Sequence, residues 1–484
     1  MSDRSKVKKN YIYNMIYQVF LIIVPLITTP YVSRVLGSEG VGTYSFTLSI
    51  TSYFVFAGTL SLSLYGRREI AFFQKDREAR SKTFWQINIV KWITMSLSLF
   101  VFYLTCIHNT NYGTYFLIFS LELLANMFDI SWYYHGIEEF KTLTIRNLIV
   151  KTLCTAGIFI FVNSPDDLWL YILIYCLSNL LSSLSLWALL PKTISRVKVT
   201  IKETKKHIVP VLILFLPQMA TEIYTVLDRT MLGFLTNNMS EVGIYEQSQK
   251  IVKMALSVIT ALSPVMSVRI ASLYAEKKFK EIKEGMIRSF DFTWALSVPI
   301  AFGIIGIAST LVPWFMGEEF LGAIPIMQVG SFLVFFISIG SVVGQQYLVP
   351  TKKQKPYTLS VLLGAGANLI GNFILIPSLG GLGAIIASLI AEFFVAITQM
   401  ISVRSVIPFK EMLNPLIKTV PAGLIMLGAV IIIDLLMPSN ILATVVEIIV
   451  GAIVYSTALI LFKDNFALET FASGKRIAKK LLHR

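Results

Sequence analysis

Stretches of about twenty apolar residues follow one another along this chain from end to end, separated by short polar connections. A run of that length crosses the hydrocarbon of a bilayer as an α-helix, at about 1.5 Å of rise per residue. The pattern predicts fourteen helices: 11–33, 42–66, 84–107, 113–134, 143–162, 167–190, 208–235, 242–268, 286–308, 324–349, 357–377, 381–403, 416–437 and 441–462.

The polar connections carry a second pattern. Lys and Arg crowd into the N-terminal tail, the 67–83, 191–207, 269–285, 350–356 and 404–415 loops and the segment after 462. The 135–142 loop carries Lys141 alone, with Arg146 nearby. The intervening connections, 108–112, 163–166, 236–241, 309–323, 378–380 and 438–440, carry none, and the 34–41 turn only Arg34. By the positive-inside rule this alternation places both ends and every basic loop in the cytoplasm. It also checks the helix count, because one missed helix would break it. Outward connections are short, so no sizeable extramembrane domain is expected.

Two turns look like copies of one device. Arg34–Tyr44 joins helices 1 and 2; Arg229–Gly233 with Ser240–Tyr245 joins helices 7 and 8. From Val41 and Val242 the copies stay in register through Gly42/Gly243, Tyr44/Tyr245, Ile50/Ile251 and Arg68/Arg269. Both copies begin on the cytoplasmic side, so the repeat is parallel. It predicts an all-α polytopic membrane protein of two six-helix bundles, 1–190 and 208–403, joined by the basic linker 191–207. Helices 13 and 14 (404–462) follow, and then a basic tail, 463–484, either amphipathic on the inner leaflet or frayed. A parallel repeat puts the substrate site between the halves, near the midplane.

Composition agrees. The 484 residues are 55% hydrophobic and 14% charged, with mean hydropathy +0.70, which excludes soluble, disordered and secreted disulfide-rich classes. The net charge of +14 lies in loops and does not call for nucleic acid. Cys106, Cys154 and Cys176 sit in apolar segments, and the four histidines are scattered. No metal spacing or catalytic motif stands out, and no cofactor is expected beyond a coupling H⁺ or Na⁺. The basic N-terminus leads into an apolar stretch without a small-residue cleavage site, which reads as a retained first helix.

Charges inside the helices are the candidate chemistry, since each costs about 2.5–3.5 kcal/mol to insert and usually faces a cavity. Lys250 and Lys253 lie eight and eleven residues inside helix 8, about 12–16 Å deep, on one helical face. They form either a cationic wall or, for Lys250, a local pair with Glu246. Lys91 and Lys151 are similarly deep; Arg146 is shallower and can snorkel. Arg34 and Arg229 match in the two copies, Arg229 with Asp228 beside it. Arg68 and Arg269 also match and read as topology anchors or ligands. Glu222, Glu392, Glu122 and Asp129 are candidates for ion coupling or for neutralising neighbouring cations. Pro25, Pro30, Pro210 and Pro217 fall in the first helix of each half, as hinges or static kinks.

Several stretches together resemble one family. They are the Arg34–Tyr44 turn, Asp129–Tyr134 followed by Gly136 and Phe140, Arg146–Asn147, Asp228–Arg229 through Tyr245, Gly317–Phe320, and Leu382–Ala384 through Ala391–Glu392. In order and spacing they resemble the Wzx-type polysaccharide flippases, within the superfamily that also holds lipid II flippases and multidrug and toxin extrusion pumps. The resemblance implies two six-helix bundles that open alternately to each side, a cationic central cavity, and an undecaprenyl-diphosphate oligosaccharide moved from inner to outer leaflet. It implies membrane lipids as partners, together with the polymerase and glycosyltransferases of the same pathway. The deep cations suit a diphosphate. A hydrated cleft would spare sugars the several kcal/mol that each unpaired polar group costs in hydrocarbon.

Two rivals share the fold. A multidrug antiporter exporting organic cations would need an acid-dominated cavity, and here deep Lys and Arg at least match the acids. A lipid II flippase is hardly separable by residue chemistry. An integral polymerase or glycosyltransferase would need a large outward catalytic loop, and the longest here, 309–323, has about fifteen residues.

Overall fold

A computed structural model describes residues 3–108, 111–195, 197–464 and 466–468, with side chains from residue 19 onward except at 21, 22, 192, 201, 216, 217, 220, 221, 223 and 224. Every regular element described is helical. The helices are α1 (Asp3–Thr59), α2 (Leu62–Phe72), α3 (Arg77–Phe102), α4 (Gly113–Phe128), α5 (Ser131–Gly136), α6 (Phe140–Phe161), α7 (Leu168–Leu189), α8 (Ile201–Thr204) and α9 (Ile208–Thr236). There follow α10 (Met239–Thr260), α11 (Ser263–Ala275), α12 (Phe279–Phe315), α13 (Ala323–Gly330), α14 (Leu333–Gly340), α15 (Gln354–Val403), α16 (Phe409–Leu413), α17 (Leu416–Leu436) and α18 (Ile441–Leu461).

Eleven stretches are long and apolar enough to span a membrane. Two of them, Ile23–Phe72 and Gln354–Val403, have 50 residues each; the first is interrupted between α1 and α2, at Leu60 and Ser61, and each is divided at a glycine, Gly37 (φ 66°, ψ 179°) and Gly380 (φ 53°, ψ −131°). Only glycine adopts such angles without strain, so one residue divides each into two passages. With α9 these give the fourteen passages of an all-α polytopic membrane protein.

The structure redraws several boundaries. The turn expected over 34–41 is the single break at Gly37, with helix on both sides. Its second copy differs: Arg229–Gly233 lies inside α9, and the chain turns at Asn237 (φ 50°). Asn238 then caps α10 by accepting from the Ser240 backbone, one of the orphan donors of a helix start. Gly233 is there for close approach rather than for a turn, since a Cβ would stand 2.3 Å from the Phe46 ring. Predicted helix 4 ends early, at Phe128. Predicted helix 10 is three pieces, α13, α14 and the π-helical turn Ser341–Leu348. The amphipathic-tail expectation falls mostly on 469–484, outside the described residues.

The chain divides into two compact units, Met1–Gly233 and Phe234–Arg484. In the first, Ser49 and Tyr53 both hydrogen-bond the Thr230 hydroxyl, at 2.8 and 3.0 Å, tying α9 to α1. Stacked and edge-on rings of Phe84, Trp92, Trp132, Tyr133 and Trp187 fill the end near α5. In the second, α12 packs along α17 and α18, and Met286, Phe290, Trp294, Val298, Met426 and Val430 share the core.

The basic 191–207 connection is stitched onto the first unit. Arg80 donates to the Thr193 carbonyl at 2.8 Å, Ser195 N–H to the Ser81 hydroxyl at 2.9 Å, and Lys82 pairs with Glu203 at 2.7 Å. That exposed pair holds the Glu203 carboxyl below its ordinary value but is worth little stability.

The strongest stitch is His207, 3% exposed, between Tyr65 OH at 2.8 Å and Gln86 Oε1 at 2.9 Å. Burial, with Lys206 adding, lowers its pKa from 6.5 to about 4. The folded protein therefore disfavours the imidazolium. Above pH 6.5 both folded and unfolded His207 are neutral and nothing is lost. Between 6.5 and about 4 the unfolded state binds the proton first, so stability falls with pH, by about 3 kcal/mol in full. Detergent-solubilised wild type should therefore lose its thermal advantage over His207→Gln as pH drops through that window. A constant gap between the two would disprove the assignment.

Candidate functional site

The α4–α5 break builds the site. Asp129 leaves the helix with extended angles (φ −67°, ψ 117°). Its carboxylate accepts from Ser131 N–H at 3.0 Å and Ser131 Oγ at 2.9 Å, which starts α5. The carbonyls freed at the end of α4 need donors. Trp187 Nε1 donates to Phe128 O at 2.7 Å, and Lys91 Nζ to Asp129 O, also at 2.7 Å. A cation suits the negative end of a helix. Lys91, 1% exposed, thus serves the break. The expectation that it faces a cavity is corrected, because a fully buried ammonium must spend its donors on fixed acceptors.

Beside the break lies a cavity of about 400 Å³ lined by side chains of α4, α5, α6 and α7. Glu122, Asp129, His135, Arg146 and Lys151 supply its ionisable groups; Asn126, Asn147, Asn179, Ser182 and Ser183 supply amides and hydroxyls. Lys151 stands eleven residues into α6 and ten from its end, about 15 Å from either terminus. Glu122 accepts from Asn126 at 3.1 Å and Asn179 at 2.8 Å. Arg146 donates to the Ser182 carbonyl.

Four residues singled out from the sequence, Glu122, Asp129, Arg146 and Lys151, therefore share one chamber. Its lining is charge-balanced rather than cationic. The lining supplies both donors and acceptors, which suits a polyhydroxylated ligand whose every hydroxyl both gives and accepts a bond. The sequence reading missed Asn126, Asn179, Ser182 and Ser183. Their signal was present: 179, 182 and 183 follow helical spacing on one face of a largely apolar segment.

The other candidates lie elsewhere. Lys250 is half-buried and Lys253 exposed on α10; Arg34 is exposed before the Gly37 break; Arg229 and Glu222 are half-buried on α9; Glu392 is half-buried on α15. Arg269 lines a second cavity, about 310 Å³, with Glu281, Glu284 and Arg288 between α11 and α12. α1 stays helical through Pro25 and Pro30. Pro210 falls in the first turn of α9, where a missing N–H breaks no bond, and Pro217 lies further along the same helix. Among the described residues no group of three or more His, Cys, Asp or Glu is placed to hold a metal ion.

Fourteen passages with a polar chamber among them define a polytopic helical membrane protein. The chain belongs to the polysaccharide biosynthesis protein family, whose model matches residues 7–269.

Among its relatives is the provisionally named O-antigen transporter of Escherichia coli K12, 23% identical over 84% of this chain and 98% of that one. A protein of the same name from Shigella dysenteriae is also 23% identical, over 78% of this chain and 96% of its own. Among solved structures, the lipid II flippase MurJ in an inward closed conformation superposes with a TM-score of 0.71 at 17% identity, covering 94% of this chain and 99% of that one. An inward-facing multidrug resistance MATE transporter of the MOP superfamily gives 0.59 at 12% identity, covering 84% and 94%.

Proposed function

We propose that this protein is a flippase of the bacterial cytoplasmic membrane. It carries undecaprenyl-diphosphate-linked oligosaccharide repeat units from the inner to the outer leaflet for surface polysaccharide synthesis, by alternating access and with both termini cytoplasmic. The observation that carries the reading is the chamber among α4–α7, where Arg146 and Lys151, six and eleven residues into α6, stand among three asparagines. A lipid-linked glycan needs fixed positive charge for its diphosphate and paired donors and acceptors for its sugars. The family and the names of the relatives support the same cargo class. Lys250 and Lys253 would extend the cationic surface. Glu222 and Glu392 are kept as ion-coupling candidates, and Pro25, Pro30 and Pro217 as hinges. The alternation of basic and uncharged connections supports the orientation.

The direct experiment is mass spectrometry of lipids retained on the purified protein. A polyprenyl-diphosphate oligosaccharide is the expected result. Retained lipid II would move the protein to peptidoglycan synthesis, and phospholipid alone, with binding of organic cations, would favour a multidrug antiporter.

A further inference from the structure

Away from that chamber, α12, α17 and α18 enclose two carboxyl groups around one hydroxyl. Thr310 Oγ1 on α12 is hydrogen-bonded to Asp434 Oδ1 on α17 and, at 2.6 Å, to Glu447 Oε1 on α18. Glu447 is 0% exposed. Its second oxygen, Oε2, is buried without a partner, and the side chain lines a cavity of about 280 Å³ whose other walls include Ile300, Ile304, Met426, Val430 and Ile448.

Proton counting decides the state of this group. A threonine hydroxyl has one hydrogen to donate, and carboxylates only accept. Thr310 can satisfy one ionised carboxylate; the second short bond needs a proton on the other carboxyl. A bare anionic oxygen facing an apolar cavity would also be costly, whereas the carbonyl oxygen of a neutral acid costs far less. The count requires one proton in the pair, and the buried Oε2 puts it on Glu447.

Among the described residues no opposing charge relieves the pair along the packed helices. On α12 the remaining charged groups run from Lys280 to Asp291, at least nineteen residues and about 28 Å from Thr310. Lys418 on α17 is sixteen residues and about 24 Å from Asp434. Tyr455 is eight residues along α18, and Glu318 and Glu319, themselves acids, follow α12 in the next turn. Ala255 of α10 lines the same cavity. At 100° per residue Glu246, Lys250 and Lys253 point some 140–180° away from it around that helix.

The geometry points to a proton-binding site formed by Asp434, Thr310 and Glu447, held between α12 and the C-terminal helix pair and used as the coupling-ion site of transport. The proton held on Glu447 Oε1 passes to Thr310 Oγ1 as the Thr310 proton passes to Asp434 Oδ1. One proton thereby moves from the buried carboxyl to the half-buried one near the end of α17.

Infrared spectroscopy on the purified full-length protein tests the site without reference to cargo. A wild type minus Glu447→Gln difference spectrum at neutral pH should show the C=O stretch of a protonated carboxyl, unchanged by added Na⁺. Glutamine keeps an N–H donor for Thr310, and circular dichroism checks that the variant is folded. Absence of the band, or its loss when Na⁺ is added at constant pH, overturns a proton site. The coupling role rests on the flippase reading and has its own assay. In proteoliposomes an imposed pH gradient should change the flipping rate of wild type and not of Glu447→Gln or Asp434→Asn. An equal response in all three overturns coupling and leaves the infrared result standing.

Discussion

Arg146→Ala combined with Lys151→Ala is expected to reduce glycan export roughly a hundredfold or more. Each charged hydrogen bond to a phosphate oxygen contributes about 1.5–3 kcal/mol, and a tenfold change corresponds to about 1.4 kcal/mol. Both side chains line the α4–α7 chamber, so the variant removes its whole Lys and Arg complement while Glu122 and Asp129 remain. The chamber then turns acidic, which adds repulsion against an anionic head. Surface polysaccharide in a strain complemented with the variant measures the effect, with membrane abundance checked by immunoblot. Lys250→Ala with Lys253→Ala is the comparison, since it tests positive charge in the other unit. Normal surface polysaccharide in the chamber variant, at normal abundance, would remove the chamber from the transport path.

The second large effect is on stability, at Gly383. The two halves of α15 fold back on each other at Gly380, and their backbones meet through small residues. A Cβ on Gly383 would lie 2.4 Å from the Leu375 carbonyl oxygen, and one on Gly371 would lie 2.9 Å from Ala387 Cβ. Asn368 reaches Ser388 across the same seam at 3.2 Å. Close packing of this kind is what holds helices together in lipid, where apolar burial offers no net gain. Gly383→Ala sets a methyl against backbone, which cannot rotate aside. The expected cost is about 3 kcal/mol or more, the upper range for overpacking. Detergent thermal denaturation should show a clear drop in Tm. Gly366→Ala on the same helix, where a Cβ meets nothing within 4 Å, should be neutral. Equal stability of the two variants would contradict the described hairpin.

Much of this architecture was legible from residue order. Membrane passages are a local property: twenty apolar residues, a polar interruption, and a charge count that alternates. The break at Gly37 was legible because a Leu-Gly-Ser turn between two apolar runs needs a residue free to take positive φ. The second copy misled at Gly233, where the same residue type serves a close approach to Phe46, and sequence does not separate a turn glycine from a packing glycine. Lys91 misled for a related reason. Its helix starts at Arg77 rather than at 84, and its partner, the Asp129 carbonyl, lies 38 residues away at a helix break that periodicity does not show.

The sequence by itself determined the passages, their count, the class of protein and the residues that carry charge at depth. Those follow from the local cost of placing each side chain in hydrocarbon. Tertiary structure alone decided which of those residues meet. Glu122 joins Asn179 across 57 positions, Arg146 reaches the Ser182 carbonyl on the next helix, and Thr310 gathers Asp434 and Glu447 from more than a hundred positions away. Such meetings are set by how helices rotate and pack against one another, which each helix's own pattern leaves open.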